Sequence, residues 1–425
     1  METHRRAVEM VGVVLALVAA GVAAVAPGLG AAACLGAGAG VALAIAGAGP
    51  GRRRLPAWGA VSVLAAMAGV SLAVTQTPDA TQARVWQLWT GLGMFWALAV
   101  WARTRARVCL VGVGLALLGV ALALASPFVV GWFTERKTFF PPSVYEAFLR
   151  LVSDTVHPNV MAGALLGVIF VAIAWAFRPP TVSDAGAVFR WVARARGVWA
   201  IAALLMLLVL FLTKSRGAWA AFLLGCLVLA FLMARRRAAV AAMVLLGVAL
   251  AIGAVLWVMQ GAAPDALREA EILDTSTFAF RQRMWHYALL LVGDFPLTGV
   301  GMGGFNTALA DVYGYAEFQQ PGAHSLYLQA ALDLGLPGLA AFLALAVAAF
   351  ARAGVGLRRM RAAGDGLWPL AAGGMAGLAA VLGQGTVDIA VWSTKGAVVL
   401  WGLLALLYGL GSAAQWVAPD GCTRE

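Results

Sequence analysis

The chain has 425 residues, of which 62% are hydrophobic and only 12% charged, with a mean hydropathy of +0.88. A soluble domain carries about a quarter charged residues, so this composition excludes one and implies a membrane protein. The net charge of +11 does not indicate nucleic acid, because the arginines recur as short clusters between apolar runs, the pattern of topology signals. The four cysteines (Cys34, Cys109, Cys226 and Cys422) are scattered, and their spacing gives neither a structural disulfide nor a zinc site.

A helix needs roughly 20 apolar residues to cross the hydrocarbon. Runs of that kind place spans near 8–26, 30–49, 57–75, 84–102, 107–126, 158–177, 197–213, 217–234, 238–258, 325–351, 367–388 and 394–414, about twelve in all. Arg5 and Arg6 before the first run resemble a signal peptide. The run continues to about Ala26 without a polar cleavage region, however, and reads as the first span.

Orientation follows from the basic residues. Arg5–Arg6, Arg52–Arg54, Arg103/Arg105/Arg107, Arg178/Arg190/Arg194/Arg196, Arg235–Arg237 and Arg352/Arg358/Arg359/Arg361 fall on alternate connections, which therefore face the cytoplasm. With Arg424 they account for 20 of the 30 basic residues. The other ten lie at or near the outer face: Arg84, Arg136, Lys137, Arg150, Lys214, Arg216, Arg268, Arg281, Arg283 and Lys395. Topology does not require them there.

The expected organisation is N-terminal transmembrane helices (1–126), an outer interfacial segment (127–157), helices carrying Arg216 (158–258), a long outer loop (259–324), and C-terminal helices with a cytoplasmic tail (325–425). In the first outer segment, Trp132, Phe133, Phe139 and Phe140 around Pro141–Pro142 suit a stretch lying at the membrane interface. In the second, an acidic stretch precedes Phe280–Val292, an amphipathic helix fit to rest on the membrane surface. Long loops in a compact fold are usually functional.

Three places could carry chemistry. Lys214-Ser-Arg-Gly217 puts two cations on the shortest outer connection, beside small residues that allow close approach. A lone lysine there would be a snorkelling residue; lysine and arginine together favour an anion site, because guanidinium presents a planar fork to phosphate oxygens. Arg281 and Arg283 are two residues apart on the surface helix and point to different faces, so one of them faces the site. Anchoring that helix to anionic headgroups is an equal alternative. His324 lies where the long loop enters a span, within reach of water, and histidine is the commonest general base near neutral pH.

Other signals carry less. Gly299-Val-Gly-Met-Gly-Gly304 matches a dinucleotide fingerprint literally, but with no surrounding βαβ unit it reads as a turn. No phosphate-binding Walker motif and no carboxylate cluster of metal-binding type occurs. Asp333 and Asp388 are isolated acids near span ends, read as partners for arginine or backbone groups.

Taken in order, Arg281-x-x-x-Trp285, Asp294-x-Pro296-x-x-Gly299-Val-Gly301-x-x-x-Phe305, His324-Ser-x-Tyr-Leu328 and Asp333-x-Gly335-x-x-Gly338 resemble the signature region of the O-antigen ligase and O-antigen polymerase superfamily. Ser215-Arg-Gly217 is similar to that family's arginine motif, and His157-Pro-Asn159 to a Pro-Asn element that often precedes it. Asp388 is similar as well. The resemblance spans roughly residues 155–410, with one departure: the family often has Asn after the histidine, where this chain has Ser325.

The resemblance implies an all-α, GT-C-like, polytopic transferase of the bacterial inner membrane, with no metal and no cofactor, and with its active site facing the periplasm. The implied donor is a glycan on undecaprenyl diphosphate. The implied acceptor is a hydroxyl of a glycolipid (lipid A–core for a ligase) or of another glycan for a polymerase, with the ligase type favoured. On this reading Arg216 and Arg281 hold the diphosphate and His324 accepts the acceptor's proton, while Lys214, Arg283 and Asn159 contribute to substrate binding. Membrane lipids are the other expected partners. A transporter is ranked lower, because its charges would lie near the bilayer midplane.

Overall fold

A computed structural model describes residues 2–48, 55–132, 143, 155–177, 195–233, 278–315, 322–392 and 395–412. Among these residues the regular structure is helical, with a single β-bridge between Val130 and Val156. The helices are α1 (Glu2–Val25), α2 (Gly30–Gly47), α3 (Trp58–Val74), α4 (Pro78–Trp101), α5 (Arg105–Val129), α6 (Pro158–Ala176), α7 (Arg196–Leu212), α8 (Arg216–Met233), α9 (Phe278–Asp294), α10 (Phe305–Tyr313), α11 (Leu326–Ala362), α12 (Trp368–Gln384) and α13 (Ala397–Ser412).

Six of them, α1, α2, α5, α6, α8 and α11, are long and apolar enough to cross a membrane. Three shorter apolar helices, α3, α7 and α13, coincide with further expected spans. The two remaining helices at expected spans, α4 and α12, are largely buried within the bundle. The expected ninth span, 238–258, lies outside the described residues, as do Phe133, Phe139, Phe140 and the acidic stretch of the long loop.

Small residues set how closely the helices approach. A Cβ at Gly12 of α1 would lie 2.5 Å from the Gly40 carbonyl oxygen of α2, and one at Gly40 would lie 2.6 Å from that of Gly12. In a bilayer, where lipid tails are as apolar as leucine, such backbone-to-backbone packing drives helix association. The same device joins α12 to α6, where a Cβ at Gly377 would come 2.5 Å from the Gly167 oxygen.

The helix ends segregate chemically. At one end Arg105 pairs with Asp365 at 2.8 Å and Arg107 with buried Glu9 at 2.9 Å. Arg361 donates to the Leu232 and Met233 carbonyls at the foot of α8 and lies over the Trp368 ring. These are among the connections that the arginine pattern assigns to the cytoplasm.

At the opposite end, α9, α10 and the turn between them cap the bundle. The buried side of α9 (Phe280, Met284, Tyr287, Ala288 and Leu291) follows helical spacing and packs on Val300, Phe305, Leu309, Ala323 and Leu332. One face of this surface helix therefore rests on protein. Trp132 departs from expectation. Instead of facing an interface it is buried, its indole donating to the Ser126 carbonyl at 3.2 Å, next to the Val130–Val156 bridge that follows α5.

The cap is fastened to α11 through main-chain groups. Gly335 has φ 67° and ψ 175°, which breaks α11 into a short outer rod and a long span. Across that break the Leu336 amide donates to the Pro296 carbonyl and the Val300 amide to the Leu332 carbonyl, each at 2.7 Å. A side chain at Gly335 would collide with the Leu297 carbonyl, and one at Gly299 (φ 65°) with that of Leu332. The two glycine motifs are thus the two halves of one joint.

Candidate functional site

The α7–α8 connection is a stiff hairpin. Thr213 donates to the Leu210 carbonyl at 2.6 Å, and Trp219 stacks on Phe211 with centroids 5.2 Å apart. This closure puts Lys214 at φ 49°, an uncommon conformation for a residue with a side chain, and leaves Arg216 exposed as the first residue of α8. A helix N-terminus already carries a partial positive charge from its unpaired amides, so a cation placed there adds to an electropositive spot instead of cancelling it. Gly217 packs beside Val387, since a Cβ there would lie 2.8 Å from Val387 Cγ2, and this brings the turn next to Asp388.

Arg281 approaches from α9, on the flank of the helix's buried side. It lies within electrostatic reach of both Asp388 and Arg216. Burial lowers its pKa from the ordinary guanidinium value; Asp388 opposes that shift and Arg216 adds to it. Its Nε is buried, with no hydrogen-bond partner among the described residues. Arg283 is exposed, and its charge is felt by Tyr315 on the α10 side. The two arginines therefore point to different sides, and Arg281 is the one facing Arg216.

His324 enters from the loop before α11, also at a positive φ of 49°. Its carbonyl accepts from Trp285 Nε1 at 3.4 Å, one turn along α9 from Arg281, and its ring stands edge-on to Phe280 at 6.2 Å. The next residues dock on the end of α12, the Leu326 amide on the Gly385 carbonyl at 2.7 Å and the Tyr327 hydroxyl on that of Leu382 at 2.8 Å. Ser325, which stands where the family often has Asn, is buried and makes no side-chain cap for α11.

Asp388 is the residue around which these elements meet. Asn159 Nδ2 donates to its Oδ2 at 2.7 Å, and the Ile389 amide to its Oδ1 at 2.8 Å. Asn159 is itself held at the start of α6, where its amide donates to His157 Nδ1 at 3.0 Å. The Pro-Asn element therefore stands behind the aspartate, with the asparagine buried.

Sequence reasoning treated Asp388 and Asn159 as separate features. Only folding shows that residues 229 positions apart form one pair, although the motif resemblance had already included both. Among the described residues no three His, Cys, Asp or Glu side chains gather. The charges that do gather are two guanidiniums and one carboxylate.

Residues 201–343 match the family model described as O-antigen ligase. That stretch, about a third of the chain, contains Arg216, Arg281 and His324 and ends within α11. It bears out, over that stretch, the resemblance read from the motifs, and the apolar helices make the chain a multi-pass membrane protein. Comparison with characterised proteins gives no match.

Proposed function

We propose that this chain is a member of the O-antigen ligase superfamily and a GT-C-like membrane glycosyltransferase working at the periplasmic face of a bacterial inner membrane. It moves a glycan from undecaprenyl diphosphate to a hydroxyl of a glycolipid acceptor, lipid A–core for a ligase, without nucleotide or metal.

The observation that carries the reading is the approach of Arg281 to Arg216 with one carboxylate nearby. Like charges within electrostatic reach repel, and the more strongly the closer they stand and the less water lies between them. Bringing like charges together is therefore costly unless an anion joins them. A diphosphate is such an anion, and two guanidiniums can take its oxygens in forked hydrogen bonds.

In the reaction the acceptor oxygen attacks the anomeric carbon of the donor's first sugar. The bond from that carbon to the phosphate oxygen breaks, and undecaprenyl diphosphate leaves with the bonding pair. Arg216 and Arg281 stabilise the charge growing on the leaving oxygen. His324 takes the acceptor's proton. Asp388 sets the balance of charge around Arg281, while Lys214 and Arg283 lie on the paths by which donor phosphate and glycan approach.

Purified protein given undecaprenyl-diphosphate glycan and an acceptor, without nucleotide or metal, should form glycosylated product. Lipid A–core as acceptor reports a ligase, and a second lipid-linked glycan reports a polymerase. Arg216→Ala and His324→Ala should each abolish product; full activity in both would sink the reading.

A further inference from the structure

Asp333 does more than end the outer rod of α11. It is fully buried, and its two oxygens collect donors from three separate segments. Oδ1 accepts from the Gly303 amide at 3.1 Å and from Gln329 Nε2 at 2.8 Å; Oδ2 accepts from Trp392 Nε1 at 2.8 Å. Arg84 lies within electrostatic reach, and a Cβ at Gly303 would come 2.8 Å from its Nε.

Gln329 carries the connection further. Its Oε1 accepts the Ala323 amide at 2.9 Å, so the residue before His324 is tied to Asp333 through one amide side chain. Gln329 and Asp333 are four residues apart on the rod, the spacing at which side chains on one helix face meet. Gly322 is the residue that fits here, because a side chain would collide with Gln329 Oε1. Trp392 lies four residues beyond Asp388. A single carboxylate thereby sets the position of the segments carrying His324 and Asp388 and of the glycine turn of the cap.

We propose that Asp333 is a positioning residue for the transfer reaction, acting through Gln329 and the Ala323 amide to hold the backbone of His324 in its left-handed conformation. The proposal rests on the reading of His324 given above. Neither Asp333 nor Gln329 touches substrate. Both work by fixing where the imidazole stands relative to Arg281, a place where small displacements cost rate more than affinity.

The test uses the full-length protein with Asp333→Ala, which removes both acceptor oxygens, Gln329→Leu and the double variant. Two measurements are made: donor kinetics, and amide exchange in peptides covering residues 322–325. The expected result is a kcat about tenfold lower in each single variant with donor KM within twofold of the parent. Exchange at 322–325 should be faster, and the double variant no worse than the poorer single one, since both substitutions cut the same connection. Trp392→Phe, which removes only the donor to Oδ2, should leave exchange at 322–325 unchanged.

Parental exchange there in Asp333→Ala and Gln329→Leu would overturn the proposal, as would a raised KM at unchanged kcat. If Asp333→Ala does not fold, Gln329→Leu decides alone, because it leaves the Gly303 and Trp392 bonds in place. A fully active Gln329→Leu beside an inactive His324→Ala removes only the positioning role. A fully active His324→Ala removes the reading beneath it.

Discussion

Among the described residues, two of the three non-glycine residues at positive φ, Lys214 and His324, are residues marked out by sequence for chemistry; the third is Ala57. Such conformations cost of order 1–3 kcal/mol and persist where surrounding structure holds them. Here the Thr213–Leu210 bond and the Trp285 and Gly385 contacts do so. Arg281 offers the sharpest residue-level prediction. Arg281→Lys keeps a charge but loses the planar fork, and kcat/KM for lipid-linked donor should fall about tenfold or more. Arg281→Ala should cost on the order of 10²–10³, the scale for losing one preorganised donor to a developing oxyanion.

Tyr313 on α10 makes a second prediction, in pH. Its hydroxyl donates to Asp294 at 2.5 Å, and this bond, ahead of burial and of the carboxylate's charge, pushes the phenol up from its ordinary 10 to about 12. A folded-state pKa raised above the unfolded one contributes stability that is fully present below about pH 10 and lost as pH rises through about 12. Ultraviolet titration of tyrosine should therefore show the equivalent of one phenol moving from late to earlier ionisation in Asp294→Asn.

At the scale of elements, the informative unit is the joint between the cap and α11. Gly335→Ala forces a side chain into a left-handed position, worth roughly 1–3 kcal/mol, and adds a collision with a main-chain carbonyl that cannot rotate away. Thermal unfolding in detergent should detect a clear loss, larger than for Gly293→Ala, where a Cβ meets nothing within 4 Å.

The glycine pattern was visible as motifs in the sequence, and its local meaning as a turn was legible from spacing. Its reason was not. Gly299 and Gly335 answer to carbonyls more than thirty residues away, and no periodicity encodes that. The amphipathic helix was legible almost to its ends, as Phe278–Asp294 against an expected Phe280–Val292, because a 3.6-residue apolar stripe identifies itself. What covers that stripe was left to the fold, and the cover is protein.

For the whole molecule, hydropathy located the helices and arginine placement gave their alternation. The pairing of Arg105 with Asp365 and of Arg107 with Glu9 at one end, opposite the Arg216–Arg281 end, agrees with that alternation. Buried Trp132 was beyond hydropathy, since an aromatic near a span end reads as interfacial unless a segment distant in sequence, here that of Val156, pairs beside it. A cysteine scan tests the arrangement in intact cells. Gln282→Cys should react with an impermeant maleimide, and Arg358→Cys only after permeabilisation; the reverse pattern would invert the topology.

The main-chain fastening of the cap also bears on how such a protein can diverge. Amide-to-carbonyl bonds at Val300, Leu336 and Leu326 depend little on which side chains those residues carry. The outward positions Gln282, His286, Leu289 and Leu290 of α9 bear none of that fastening and are exposed. Drift at those positions is therefore cheap in stability, while one helix turn away Arg281 stays where it is. Related chains could thus vary this outer face and leave the approach of Arg281 to Arg216 beneath it untouched.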